Sequence, residues 1–495
     1  MSSISGAVLR GFGWFLGMRV ALRFVGLISM AVIARLLAPA DFGLVAVAVA
    51  ATGLVSAIAD LGSDQLLIRE HHPTQALYDT VWTVNLIAHT IGALAIIAIT
   101  PLMVLGYHEP LYRAVLPVLA LGLLISGAKN PAVADLRRDL AFRKEAAYFL
   151  FSNLLGVVAG LVGAVLFRDY KALILGMVTR QTALCGFSFL VVRRRPWFSL
   201  ALRRQVVKYS KWLSLRSVSI FLLGKGDRLI AGAFFTLSQV GFYAIASDLA
   251  AMLVTEFLHP FGRALLPGLA RLQDKEGWIE RTLPRVLNVT VTLSVALGIG
   301  VALVSGDLIR LVYGSAYQPA AQLLALVACQ MAAMGLTFPL GQYLMLIRKE
   351  RAFSQFYIMQ TVIGLAAFTA AGMLGASMPV YASVRFVLIP FAWSRLLLLL
   401  PELGSRCRRE MLKAVWRPLV AGAAMAATVI AAQIHQWGFG LAIELLLKVF
   451  FGAGVYVTTS VLLWVMCGRP EAIETELCKM AANILVKPKV SSWTK

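Results

Sequence analysis

Charge is scarce in this chain, and negative charge scarcer still: 14% of the 495 residues are Asp, Glu, Lys or Arg, and 24 acids stand against 46 bases. An average soluble protein carries about 25% charged residues. A large water-soluble catalytic module is therefore excluded. Cysteine is also sparse. The five, at 185, 329, 407, 467 and 478, form no CxxC pair and no ligand cluster, which excludes a disulfide framework and a zinc site. His71-His72 is a lone pair of histidines with no further ligands beside it, so no metal site is expected there, and His89 reads as a satisfied bundle histidine.

Other signatures are missing too. The nearest approach to a phosphate loop, Gly122 through Gly127-Ala128-Lys129, lacks the Gly-Lys-Ser/Thr ending and follows no strand. Short, acid-poor outer connections leave no place for the metal of a membrane glycosyltransferase. No catalytic residue, cofactor or metal is assigned, and the protein is read as a carrier instead of an enzyme.

What is present in excess is apolar sequence, 59% of the chain. A bilayer crossing takes about 20 such residues. Runs of that kind begin near Phe12, Phe42, Val81, Tyr112, Ala146, Ala172, Trp212, Val240, Val286, Ala320, Gln355, Pro379, Pro418 and Leu441. The predicted fold is an all-α integral membrane protein of about 14 transmembrane helices, with 12 to 14 spans allowed by the shorter runs at Tyr112 and Pro418.

With the N-terminus inside, only Arg35, Arg113, Arg168, Lys171 and Arg310 fall in outer connections. That asymmetry satisfies the positive-inside rule and places both termini in the cytoplasm. It also accounts for the net charge of +22 without nucleic acid. Arg193, Arg194, Arg195, Arg203, Arg204, Lys208 and Lys211 make the connection after the sixth span basic and acid-free, suited to anionic lipid headgroups. The basic N-terminus, with Arg10, Arg19 and Arg23, has no cleavage site after its apolar run and is expected to stay as a structural helix.

The chain repeats itself. Ile33-Ala34-Arg35-Leu36 through Asp41-Phe42-Gly43-Leu44-Val45-Ala46-Val47-Ala48 recurs, with one inserted residue, as Ile230-Ala231-Gly232 through Gln239-Val240-Gly241-Phe242-Tyr243-Ala244-Ile245-Ala246. Leu136-Arg137-Arg138-Asp139-Leu140-Ala141-Phe142 likewise matches Ile347-Arg348-Lys349-Glu350-Arg351-Ala352-Phe353. Two pseudo-symmetric six-helix lobes follow, 1–211 and 212–413, related by an axis along the membrane normal, with two C-terminal helices and a tail in 414–495. Such parallel halves are the machinery of alternating access.

Ionisable groups inside spans are the candidate site, because an unpaired charge at mid-bilayer costs about 2.5 to 3.5 kcal/mol on insertion scales. Arg19 and Arg23 are four residues apart and share a helix face. Arg216 lies 197 residues after Arg19, the offset that aligns the start of the repeat, and three helical turns before Asp227. Lys225 points away in an ideal helix, but Gly224 and Gly226 flank it, and a break there would turn it inward. Substrate binding is assigned to Arg19, Arg23, Arg216, Lys225 and Arg228, as an electropositive cavity for an anionic headgroup. Asp227, Asp248 and Glu256 are candidates for ion coupling. Arg180, Arg385 and Arg395 rank second, and Glu444 with Lys448 reads as a helix pair.

The run Ile33 to Leu44 resembles the end of the first span in bacterial polysaccharide transporters, the Wzx-type flippases of the multidrug/oligosaccharidyl-lipid/polysaccharide superfamily. Leu136 to Arg143 is similar to that family's cytoplasmic motif, and Asp227-Arg228-Leu229-Ile230-Ala231-Gly232 followed by Gly241-Phe242-Tyr243 to its seventh-to-eighth span junction. The likeness extends over about twelve spans; Lys225 between two glycines departs from the family's more regular helix. The resemblance implies a V-shaped bundle in the bacterial inner membrane. Its task would be to turn a polyprenyl-diphosphate-linked oligosaccharide to the outer leaflet for exopolysaccharide or lipopolysaccharide synthesis. Cavity cations at Arg19, Arg23 and Arg216 would take the headgroup, with a polymerase and export machinery as expected partners. The rivals are a flippase for peptidoglycan precursors, a cation-coupled drug exporter, whose cavity should bear acids, and a membrane-embedded transferase.

Overall fold

The computed structural model describes residues 22, 24–60, 62–70, 72–139, 141–270, 278–347, 350–386, 389, 405–434 and 440–468. Among them every regular element is helical. In chain order these are α1 (Phe24–Leu36), α2 (Pro39–Ala59), α3 (Ser63–Arg69), α4 (Gln75–Tyr107), α5 (Tyr112–Gly127), α6 (Ala134–Arg138), α7 (Phe142–Phe167), α8 (Lys171–Val191) and α9 (Arg203–Phe234). There follow α10 (Leu237–Ala270), α11 (Trp278–Leu303), α12 (Ser305–Val312), α13 (Ala320–Ala332), α14 (Met334–Leu346) and α15 (Glu350–Met373). The series ends with α16 (378–386), α17 (Ser405–Ile434) and α18 (Leu441–Met466).

Among the described residues ten helices are long and apolar enough to cross a membrane, and a helix pair bent by 63°, α5 with the segment Pro131–Arg138, makes an eleventh if counted as one span. The ten coincide with the runs read from Phe42, Val81, Ala146, Ala172, Val240, Val286, Ala320, Gln355, Pro418 and Leu441. The short run at Pro418 is the core of a 30-residue helix. The run at Tyr112 is the one that bends. The run at Trp212 lies in α9, 32 residues long and too charged to qualify by apolarity alone. The run from Phe12 lies mostly, and that from Pro379 largely, outside the described residues.

Two compact units emerge. One comprises Met1–Ile245, Val312–Tyr317 and Tyr357–Tyr381. In it α7 packs along α8, α4 along α5, and α2 along α9. Small residues set the first of these contacts. A Cβ on Gly156 would stand 2.9 Å from the Gly176 carbonyl oxygen, and one on Gly176 would stand 2.9 Å from that of Gly156. The Gly156–Gly160 pair thus serves close helix approach. His89 bonds the Asn85 carbonyl at 2.9 Å, as a satisfied bundle histidine should.

The other unit comprises Ala246–Leu311, Gln318–Phe356 and Ala382–Lys495. Here α11 is the hub, packed by α13, α14 and α17, with α18 against α17. Thr290 on α11 donates to the Gly335 carbonyl at 2.8 Å, and Tyr456 on α18 to that of Thr292 at 2.8 Å. Lys448 forms its ion pair with Asp307 of α12, 2.6 Å away, instead of with Glu444 one turn before it.

Candidate functional site

Two places in the first unit carry the features that sequence singled out. One is the junction where the repeated segments start. Pro39 opens α2, where its fixed φ and missing N–H suit the first turn. Asp41 at the third helical position accepts from the Ala38 N–H at 3.0 Å and, through its other oxygen, from the Tyr170 N–H at 3.2 Å. At the matching place before α10, Gln239 accepts from the Thr236 N–H at 3.1 Å, and the Gln239 N–H reaches Thr236 Oγ1 at 3.4 Å. Both helices are therefore started by a side chain that turns back on its own N-terminus.

The two starts face one another. A Cβ on Gly43 would stand 1.8 Å from the Leu237 carbonyl oxygen, and a Cβ on Gly241 would stand 1.9 Å from the Pro39 carbonyl oxygen. Gly43 and Gly241 are 198 residues apart, as are Pro39 and Leu237. The contact is therefore reciprocal, each repeated segment meeting the other at equivalent positions. Backbone this close admits only glycine.

Aromatic rings complete the junction. Tyr317 stands between Phe42 and Phe242, with ring centroids 5.9 and 6.1 Å away and planes nearly perpendicular. Its hydroxyl donates to the Leu37 carbonyl at 2.9 Å. Burial pushes the Tyr317 phenol far above its ordinary range, so it stays a donor at any physiological pH. Tyr107, at the end of α4, donates to the Leu229 carbonyl of α9 at 3.0 Å.

The other place is the charged stretch of α9. The helix runs through Gly224-Lys225-Gly226 without interruption, so the expected break is not there. Gly226 instead makes room for Leu365 of α15, which would lie 2.9 Å from an added Cβ. Lys225 is half-buried, whereas Asp227 and Arg228 are 2% and 5% exposed. The Asp227 carboxylate accepts from the Tyr243 hydroxyl of α10, and its backbone carbonyl accepts from the Tyr381 hydroxyl of α16 at 2.7 Å. Arg228 Nη2 reaches the Ala244 carbonyl at 3.4 Å. Phe235 and Phe368 pack on the Tyr381 ring with centroids 5.0 and 4.9 Å away. Buried ionic groups of this kind persist only where polar partners surround them.

Sequence alone missed the tyrosines. Tyr243 and Tyr381 are 138 residues apart, and no local pattern pairs either with Asp227. Of the other predicted site residues, Arg19 and Arg23 lie outside the described residues. Arg216 lies on α9, its backbone helical and its side chain outside the description. Glu256 on α10 is in the same position, and Asp248 on α10 is exposed. Arg180 donates to Asn153 Oδ1 of α7 at 3.3 Å. Arg385 lies on α16, and Arg395 lies outside the described residues. Among the described residues no group of three potential ligands could hold a metal.

A family profile described as "Polysaccharide biosynthesis protein" matches residues 32–322, more than half of the chain. The lipopolysaccharide biosynthesis protein WzxC of Escherichia coli K12 is 22% identical over 84% of this chain and 85% of its own length. The succinoglycan biosynthesis transport protein ExoT of Rhizobium meliloti is 24% identical over 65% of each. Among solved structures, the lipid II flippase MurJ in an inward closed conformation matches with TM-score 0.67 and 12% identity over 92% of this chain and 99% of its own. A multidrug resistance MATE family transporter in an inward-facing conformation matches with TM-score 0.54 and 14% identity over 76% and 95%. The many-span helical fold is thus one that the two solved transporters share, and the chain belongs to the polysaccharide biosynthesis protein family.

Proposed function

We propose that this protein turns a polyprenyl-diphosphate-linked oligosaccharide from the inner to the outer leaflet of the bacterial inner membrane, for exopolysaccharide or lipopolysaccharide synthesis. The repeats at 1–211 and 212–413 act as two lobes, with 414–495 appended, and both termini are cytoplasmic. The observation that carries the mechanism is the reciprocal contact of Gly43 and Gly241. Two helix starts that meet backbone to backbone, with the Phe42, Tyr317 and Phe242 rings packed beside them, hold one end of the pathway shut and part when it opens. Rocking of one repeat against the other then alternates access.

Arg19, Arg23 and Arg216, joined by Lys225 and Arg228, supply the positive charge that replaces water around the diphosphate, for which guanidinium geometry is well suited. The prenyl tail stays in lipid. No covalent bond is made or broken. Asp227, tied to Tyr243, and with it Asp248 and Glu256, carry any proton or cation that couples the cycle. A polymerase and export machinery receive the product.

The test is reconstitution. Purified protein in vesicles should move a fluorescent polyprenyl-diphosphate oligosaccharide to the far leaflet, read as label that a membrane-impermeant reductant can reach. Arg216→Ala should abolish that movement while the protein still inserts. Unchanged movement in Arg216→Ala and Arg19→Ala would sink the cationic site.

A further inference from the structure

Residues 192–202, which join α8 to α9, form no regular element, yet they are bound along their length. Asp79 Oδ1 on α4 accepts from the Trp197 N–H at 2.9 Å, Thr83 Oγ1 from the Ser199 N–H at 3.0 Å, and Thr80 Oγ1 from the Leu202 N–H at 3.3 Å. Asn130 Nδ2 donates to the Arg194 carbonyl at 2.8 Å, and Gln75 Nε2 to that of Arg195 at 3.1 Å. Side chains thus supply partners that water would otherwise provide, as a non-helical segment needs at a poorly hydrated depth.

That depth is the membrane interface. At 33 residues α4 spans about 50 Å, against a hydrocarbon core of about 30 Å. The strap lies on its first turns, the end that carries the polar Gln75 and Asp79 and so suits the interface better than the core.

The strap and the first turns of α9 sort their side chains by face. Val206, Leu202 and Tyr209 turn inward onto Leu67, Tyr78 and Val81. Arg194 stacks over the Tyr78 ring at 4.7 Å, and Arg195 caps the end of α8 through the Val192 carbonyl at 2.8 Å. On the outer face Trp197 and Phe198 stand 74% and 72% exposed, and Phe198 is braced on Trp82 at 5.0 Å between ring centroids. Beside them Arg193, Arg203, Arg204 and Lys208 are exposed and have no ion pair among the described residues. Two exposed aromatics on a backbone pinned to α4, among four uncommitted cations, match a phosphate-bearing headgroup layer, since Trp anchors at the interface and each base gains from anionic lipid.

We infer that this strap, with the first turns of α9, is a docking surface for anionic phospholipid headgroups, with Trp197 and Phe198 wedged between lipids and Arg193, Arg203, Arg204 and Lys208 on their phosphates. It fastens to the bilayer the one connection that links the two repeats. The inference needs only that the chain spans a membrane, and its readout is lipid retention, so its failure is separable from failure of the transport reading.

The experiment uses the full chain in nanodiscs of phosphatidylcholine with or without phosphatidylglycerol. Hydrogen exchange of the unmodified protein should slow at residues 193–208 when phosphatidylglycerol is present; equal exchange in both would overturn the inference. Native mass spectrometry should find phosphatidylglycerol retained in preference to phosphatidylcholine. Arg193→Gln with Arg203→Gln, Arg204→Gln and Lys208→Gln should lower that preference at least roughly tenfold. Trp197→Ala with Phe198→Ala should lower retention of both lipids. A preference unchanged in the fourfold variant would also overturn it, as would loss of bound polyprenyl diphosphate alone, which would make the strap a cargo site.

Discussion

At the junction of the repeats each residue has a separable task. Pro39 starts the helix, Asp41 closes its first turn, Phe42 meets Tyr317, and Gly43 lets another backbone approach. A motif recognisable as a family fingerprint is therefore a set of steric and capping requirements. Gly43→Ala or Gly241→Ala should destabilise the protein by about 1 to 3 kcal/mol, since a methyl group must displace backbone; thermal unfolding in detergent measures it, and an unchanged midpoint would contradict the contact. Asp41→Ala should cost about 1 kcal/mol through the lost cap. Tyr243→Phe removes the donor on a buried carboxylate and should cost about 1 to 3 kcal/mol, with a larger loss than Tyr317→Phe, whose acceptor is a neutral carbonyl.

At the scale of elements, helices were legible because a crossing needs a long apolar run whatever lies beside it. Ten runs became helices long and apolar enough to span, nine with starts near where hydropathy put them and one, read from Pro418, beginning well before it at Cys407. The bend after α5 was not legible. It depends on Asn130, whose side chain accepts from the Ala132 N–H at 3.0 Å and donates to the Arg194 carbonyl, a partner 64 residues away. The unbroken course of α9 through two glycines was misread for a related reason. Glycine lowers helix propensity only by about 1 kcal/mol, and packing against α15 outweighs it. Gly226→Leu should therefore disturb the protein more than Gly224→Leu, because Leu365 fills the space beside Gly226 whereas nothing lies within 4 Å of Gly224. Relative yields of folded protein after extraction test the order.

For the molecule as a whole, the excess of bases over acids sets both orientation and cargo sign in the proposed function. Moving positive charge from the connection after α8 to an outer connection should invert or scramble insertion, read by labelling of single cysteines from either side. Transport should fail in that variant even where the helices form. The ion pair of Lys448 with Asp307 fastens α18 to α12 within its own unit. Lys448→Met should loosen the appended pair of helices, read as faster exchange in α18, while leaving the junction at Gly43 and Gly241 unaffected.

Composition and periodicity alone determined that the chain is helical, crosses the membrane many times, and duplicates a segment. These are properties of short stretches and their solvent, and a bilayer enforces them locally by demanding that every backbone hydrogen bond be made within the segment. The residues that meet across the chain were decided only by tertiary structure: Gly43 on Leu237, Tyr243 on Asp227, Thr83 on the strap at Ser199. Such pairings depend on complementary shape and on polar groups finding partners in a dry interior, and neither leaves a periodic trace in the sequence.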